Sequence, residues 1–167
     1  FKLVVDCVAR ERGIVDKYLG DGVMAFWPDR PDVVHEVAAC RAALAIARAV
    51  ARDAEEARAA GRRPLRLRIG LHSGDVIVGN VGPKDRVNFT IIGDTVNVAS
   101  RLEYLGHEMA PAEDVVVLAS AATVASLPVT IPHAPIGSVR LRNRIHPLEV
   151  WRLDPFATAL GGEGVAG

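Results

Sequence analysis

The sequence predicts an α+β fold: a mixed, mostly antiparallel sheet with flanking helices. Three observations carry that expectation. Short apolar or alternating runs are separated by glycine-bearing turns, Gly20-Asp21-Gly22 foremost, and such turns signal hairpins. Two longer stretches repeat their apolar residues at steps of three and four, the helical period. Hairpins and crossovers are intermixed, whereas a doubly wound parallel sheet alternates strand and helix throughout.

Each element follows from local chemistry. Residues 1–12 set Leu3, Val4, Cys7 and Val8 among charges, the end of an amphipathic helix stopped by Gly13. The runs 13–19 and 23–27 are the strands of a hairpin, because the glycines between them supply the positive φ that tight turns need. A loop over 28–31 leads to a helix that Asp32 helps to start. Val33, Val37, Cys40, Leu44, Ala47 and Ala51 form its apolar stripe, which frays toward Gly61 and cannot pass Pro64.

Leu65, Leu67, Ile69 and Leu71 alternate with Arg66, Arg68 and Gly70, a half-buried strand. Ser73-Gly74-Asp75 turns the chain into a second strand over 76–81. A loop over 82–85 precedes a third strand over 87–92. Asp94 is placed as the N-cap of a helix over 95–105 whose Val98, Leu102 and Leu105 share a side. A short buried strand is expected over 115–118 and a short helix over 119–127. Closing strands are expected over 139–142 and 148–153. The small, Gly-rich end of the chain reads as a flexible tail.

Composition narrows the function classes. The length suits one domain with a real core. Twenty basic residues balance twenty acidic ones, so nucleic acid is not an expected partner. Cys7 and Cys40 sit in apolar helical settings and read as reduced core residues of a cytoplasmic domain. The five histidines show no metal-ligand spacing, and no apolar run approaches the ~20 residues of a membrane span. No signal peptide is apparent. The glycine-rich segments match neither a P-loop nor a dinucleotide fingerprint. Phe1 opens the sequence in mid-pattern without an initiator Met, so a longer protein is expected around it.

Two stretches carry candidate chemistry. Lys17-Tyr18-Leu19-Gly20-Asp21-Gly22 puts a carboxylate at a hairpin tip, four residues after a lysine. Asp21 suits a turn, and it equally suits Mg²⁺, which takes one or two carboxylates together with phosphate oxygens. In the second stretch, Asn97 and Arg101 lie four apart on a helix and share a face, with Thr90 at the end of the strand before it. An amide and a guanidinium so placed suit an anionic polar ligand, although a solvated helix face has the same spacing.

Four blocks together resemble the class III nucleotidyl cyclases. They are Ile-Val-Asp-Lys-Tyr-Leu-Gly-Asp-Gly-Val-Met-Ala-Phe (14–26), Ile-Gly-Leu-His-Ser-Gly-Asp-Val-Ile-Val-Gly-Asn-Val-Gly (69–82), Phe-Thr-Ile-Ile-Gly-Asp-Thr-Val-Asn-Val-Ala-Ser-Arg-Leu-Glu (89–103) and the closing Val-Arg-Leu-Arg-Asn-Arg-Ile-His-Pro-Leu-Glu-Val-Trp-Arg-Leu (139–153). Their order and spacing follow the family across residues 1–153, which reads as a catalytic domain with a palm-type, ferredoxin-like core. Residues 154–167 read as the tail.

The resemblance implies an adenylate cyclase that converts ATP to 3′,5′-cyclic AMP and pyrophosphate with two divalent ions, Mg²⁺ or Mn²⁺. Asp21 matches the second of the family's two metal aspartates. The first belongs to a strand-helix segment that should precede Phe1. Lys17 matches the base-selecting lysine, whose ammonium can donate to adenine N1 and is mismatched to the N1–H of guanine. Thr90 matches its partner position, occupied by Asp in many members and by Thr or Ser in a subgroup that includes bicarbonate-responsive cyclases. Its hydroxyl can accept from adenine N6 and can also donate. Asn97 matches the ribose-orienting asparagine and Arg101 the transition-state arginine. Arg142, flanked by Arg140 and Arg144, matches the cation for the terminal phosphates, with a solvated strand face as the alternative. The family's site forms across a homodimer, and an upstream regulatory domain, with membrane attachment only through such a segment, is implied. A guanylate or mixed-specificity cyclase and a catalytically silent nucleotide- or partner-binding module are the alternatives.

Overall fold

A computed structural model describes residues 1–81, 88–141 and 146–157. Its elements run α1 (Lys2–Arg10), β1 (Ile14–Leu19), β2 (Gly22–Phe26), α2 (His35–Ala59), β3 (Leu67–Leu71), β4 (Ile77–Val81), β5 (Asn88–Ile92), α3 (Asp94–Met109), β6 (Val115–Ser120), α4 (Ala121–Val124), β7 (His133–Val139) and β8 (Leu148–Leu153). A four-stranded sheet has the order β3-β6-β8-β7, parallel between β3 and β6 and antiparallel elsewhere. The pairs β1-β2 and β4-β5 are separate antiparallel hairpins.

Strand β6 organises the core. Its apolar run is buried throughout, and alternation divides it between two faces. Val115, Val117 and Ala119 face a cluster with Cys7, Val8 and the α2 stripe of Cys40, Leu44 and Ala47. Val116 and Leu118 face Val98 and Leu102 of α3, with Leu141 and Val150. The sheet is therefore sandwiched, α1 and α2 on one side and α3 on the other. Gly61, at φ +67, ends α2 in the left-handed conformation glycine tolerates. Cys7 and Cys40 are buried free thiols. Arg48 on α2 donates to the Pro155 carbonyl at 2.7 Å, tying the chain just past β8 to that helix.

Several sequence expectations need correction. Asp94 is the first residue of α3 and Gly93 is its N-cap, without a side-chain cap. Asp32 does not cap α2, which starts at His35; its carboxylate pairs with Arg12, which holds it below the usual carboxylate range. Strand β3 starts at Leu67, the position opposite the first residue of β6, and leaves Leu65 exposed. Strand β6 continues to Ser120, whose Oγ then caps a helix of a single turn. The strand expected over 139–142 lies earlier, at His133–Val139. Pro135 and Gly137 obscure it in sequence. The strand tolerates them because it is a sheet edge and its register shifts between those residues.

Candidate active site

Strand β1 contains one residue too many for its ladder. Val15 pairs with Ala25 and Lys17 with Met24, so Asp16 is the extra residue of a β-bulge. In a regular strand, neighbours 16 and 17 point to opposite faces. The bulge lets both reach Thr90 on β5. Lys17 Nζ donates to Thr90 Oγ1 at 2.6 Å, and Thr90 Oγ1 donates to Asp16 Oδ2 at 2.8 Å. Lys17 Nζ lies 3.2 Å from the same Asp16 oxygen. The Asp16 side chain is 1% exposed and that of Lys17 is 40% exposed. Thr90 is buried. Lys17 and Thr90, 73 positions apart in sequence, are thus brought together.

Asp21 occupies the two-residue turn between β1 and β2, after Gly20 at φ +63. It is exposed, and no hydrogen bond or ion pair engages it among the described residues. A free carboxylate on a rigid tip suits a hard cation. No group of three His, Cys, Asp or Glu converges among the described residues. Asp21 therefore fits a divalent ion as one ligand among others, which a triphosphate and a further carboxylate can supply. Burial holds the Glu103 carboxyl above its usual range, and the charge of Asp21 adds to this against His107 and Arg68.

Asn97 and Arg101 lie on α3, exposed and half-buried respectively, while Val98 and Leu102 beside them are buried. Three features fix that helix. Gly70 of β3 lies under it so closely that a Cβ there would be 2.1 Å from the Ala99 carbonyl oxygen and 2.5 Å from the Glu103 nitrogen. Thr95 Oγ1 donates to the Asp75 carbonyl at 2.7 Å, anchoring the first turn to the loop before β4. Arg68 donates to the Gly106 carbonyl at 3.1 Å and the Ala110 carbonyl at 2.6 Å, among others, closing the last turn. Burial, the largest effect, holds the Arg68 pKa below its ordinary value.

The sequence-predicted residues thus fall in three places: Lys17 with Thr90, Asp21 at the hairpin tip, and Asn97 with Arg101 on α3. Arg142 lies outside the described residues, as does Arg144. Sequence reasoning missed Asp16, because strand alternation assigns it to the wrong face. It also missed Arg68, which reads as part of the polar face of a half-buried strand.

The sequence model of the family described as adenylate and guanylate cyclase catalytic domain matches residues 12–144. Adenylate cyclase 1 of Rhizobium meliloti (strain 1021) is 36% identical over 155 residues, 92% of this chain and 23% of that protein. An adenylate cyclase of Anabaena cylindrica is 38% identical over 97 residues, 56% of this chain and 18% of that protein. The chain thus spans less than a quarter of the length of these two relatives. The crystal structure of the adenylyl cyclase CyaB from P. aeruginosa superposes with a TM-score of 0.80 at 27% identity, covering 96% of this chain and 81% of that one. The guanylyl cyclase Cya2 shares the fold, with a TM-score of 0.73 at 20% identity over 96% of this chain and 81% of that one. The chain, an α+β domain, belongs to the adenylate and guanylate cyclase catalytic domain family.

Proposed function

We propose that this domain is the catalytic unit of an adenylate cyclase, forming 3′,5′-cyclic AMP and pyrophosphate from ATP. The observation that carries the reading is the Lys17–Thr90 contact of 2.6 Å. An ammonium and a hydroxyl side by side complement the adenine edge, where N1 accepts and N6 donates. The ammonium is mismatched to the N1–H of guanine, which disfavours GTP. Asn97 orients the ribose so that its 3′-hydroxyl attacks the α-phosphorus in line. Arg101 donates to the α-phosphate oxygens as charge builds on them. Arg142 is assigned to the terminal phosphates. Asp21 would be one carboxylate ligand of the divalent cations, Mg²⁺ or Mn²⁺, the triphosphate supplying others. Those ions, when bound, lower the pKa of the 3′-hydroxyl and neutralise the phosphates.

The site is shared across a two-fold homodimer: Asp21 serves one site, and Lys17, Thr90, Asn97 and Arg101 serve the other. Exposed apolar side chains support this pairing. Tyr18 and Leu19 on β1, Ile77 and Val78 on β4 and Ile92 on β5 are all uncovered in the monomer. Among the described residues no helix is long and apolar enough to cross a membrane. The deciding experiment assays the full polypeptide carrying this domain with ATP and GTP, in Mg²⁺ and in Mn²⁺. Cyclic AMP is the expected product. A folded dimer that makes none in either metal refutes the proposal.

A further inference from the structure

We infer that Asp16 is a positioning residue for base selection, which commits the Thr90 hydroxyl to accepting. The inference rests on the adenylate cyclase reading and deepens it. A threonine hydroxyl has one donor and two acceptor positions. Left to itself it pairs equally with the N6 amine of adenine, by accepting, and with the O6 carbonyl of guanine, by donating. Lysine discriminates at position 1 of the base, but such a threonine leaves position 6 undecided.

The buried network removes that ambiguity. An Asp carboxylate paired with an ammonium only accepts, so at 2.8 Å Asp16 accepts the hydrogen bond that the Thr90 hydroxyl donates. The other acceptor in reach, the Ile91 carbonyl at 3.4 Å, is more distant and belongs to the same strand. Lys17 has no lone pair to offer and fills one acceptor position of Thr90 at 2.6 Å. One acceptor position remains, and it suits N6–H and excludes O6. Lys17 donates one N–H to Thr90 and, with three donors in all, keeps one for N1. The β-bulge makes this possible by bringing consecutive residues to one hydroxyl.

The test measures cyclic AMP and cyclic GMP formation by the full polypeptide as the ratio of kcat/KM for ATP to that for GTP. The wild type prefers ATP. Asp16→Ala frees the hydroxyl to donate and lowers the ratio about tenfold, the scale of one mismatched buried hydrogen bond becoming matched. Asp16→Asn keeps an oxygen in place and recovers most of the preference. With Thr90→Val already present, Asp16→Ala changes the ratio no further, because its effect passes through that hydroxyl. Asp16→Leu fills the space without an oxygen and repeats the test should Asp16→Ala not fold. Competition of ATP and GTP for a fluorescent nucleotide analogue reads the same preference at the binding step. An unchanged ratio in folded Asp16→Ala or Asp16→Leu overturns the inference. So does a wild type indifferent to the base, or an Asp16 effect that persists beside Thr90→Val. A wild type that turns over neither nucleotide refutes the proposed function instead, and the competition ratio then decides for or against Asp16.

Discussion

Replacing Gly70 with alanine tests whether the α3 residues are held in place by close packing. The new Cβ would stand 2.1 Å from the Ala99 carbonyl oxygen, 2.5 Å from the Glu103 nitrogen and 3.0 Å from Leu102 Cβ. The two nearest are backbone atoms, so no rotamer change relieves them. The helix must withdraw by about 1 Å to restore ordinary contact, which loosens Val98 and Leu102 against Val116 and Leu118. Overpacking of this kind costs ~1–3 kcal/mol, and the upper half is expected because both sides of the clash are main chain. Asn97 and Arg101 travel with the helix, and a misplacement of ~1 Å is enough to reduce turnover ~10²-fold. Urea unfolding and kcat with ATP check the two effects. Gly79→Ala is the control, since a Cβ there meets nothing within 4 Å among the described residues; it should stay within about 0.5 kcal/mol. A Gly70→Ala protein as stable and as active as the control refutes the reasoning.

Three further outcomes are expected. Arg101→Ala lowers kcat by ~10²–10³ with little change in unfolding midpoint, as for loss of a single transition-state donor; a matching loss of stability would assign it a structural role. Lys17→Ala and Asp21→Ala chains, each inactive alone, recover activity when mixed, and folded, dimeric mixtures that stay inactive count against sites shared between subunits. Burial, reinforced by the charge of Glu36, pushes the Cys40 thiol from its ordinary value of 9.0 up to about 12. Below pH 9 its contribution to stability is fully present. Between pH 9 and 12 the unfolded thiol ionises while the folded one does not, so stability falls by roughly 1.4 kcal/mol per pH unit. Comparing urea unfolding with Cys40→Ala between pH 8 and 11 isolates this slope, and identical slopes would contradict it.

Much of this arrangement could be read before the fold was known. The α2 stripe, the β1-β2 hairpin and the double-sided burial of β6 all follow from the spacing of apolar residues. The positions of Lys17 and Thr90 came from motif likeness, whereas their contact is visible only in the fold. What stayed hidden was tertiary. Pro135 and Gly137 argue locally against a strand, yet an edge position and a register shift accommodate both. Arg68 looks solvated by alternation, yet its guanidinium closes the end of a helix 38 positions away. Asp32 and Asp94 have the chemistry of caps, but α2 starts at His35 and α3 already includes Asp94 as its first residue. Asp16 was unreadable for a different reason, because period-two reasoning fails wherever a strand carries an unpaired residue.

That surplus residue makes the length of β1 matter apart from its composition. Removing any one position between Ile14 and Lys17 would give the hairpin an even ladder, and a more regular one. It would also rotate everything on one side of the deletion by half a pleat, turning the lysine or the strand's apolar partners outward. Point changes here can be graded in their consequences, whereas a one-codon loss is all or nothing. Relatives that drift freely in side-chain identity along this stretch are therefore expected to keep its residue count fixed.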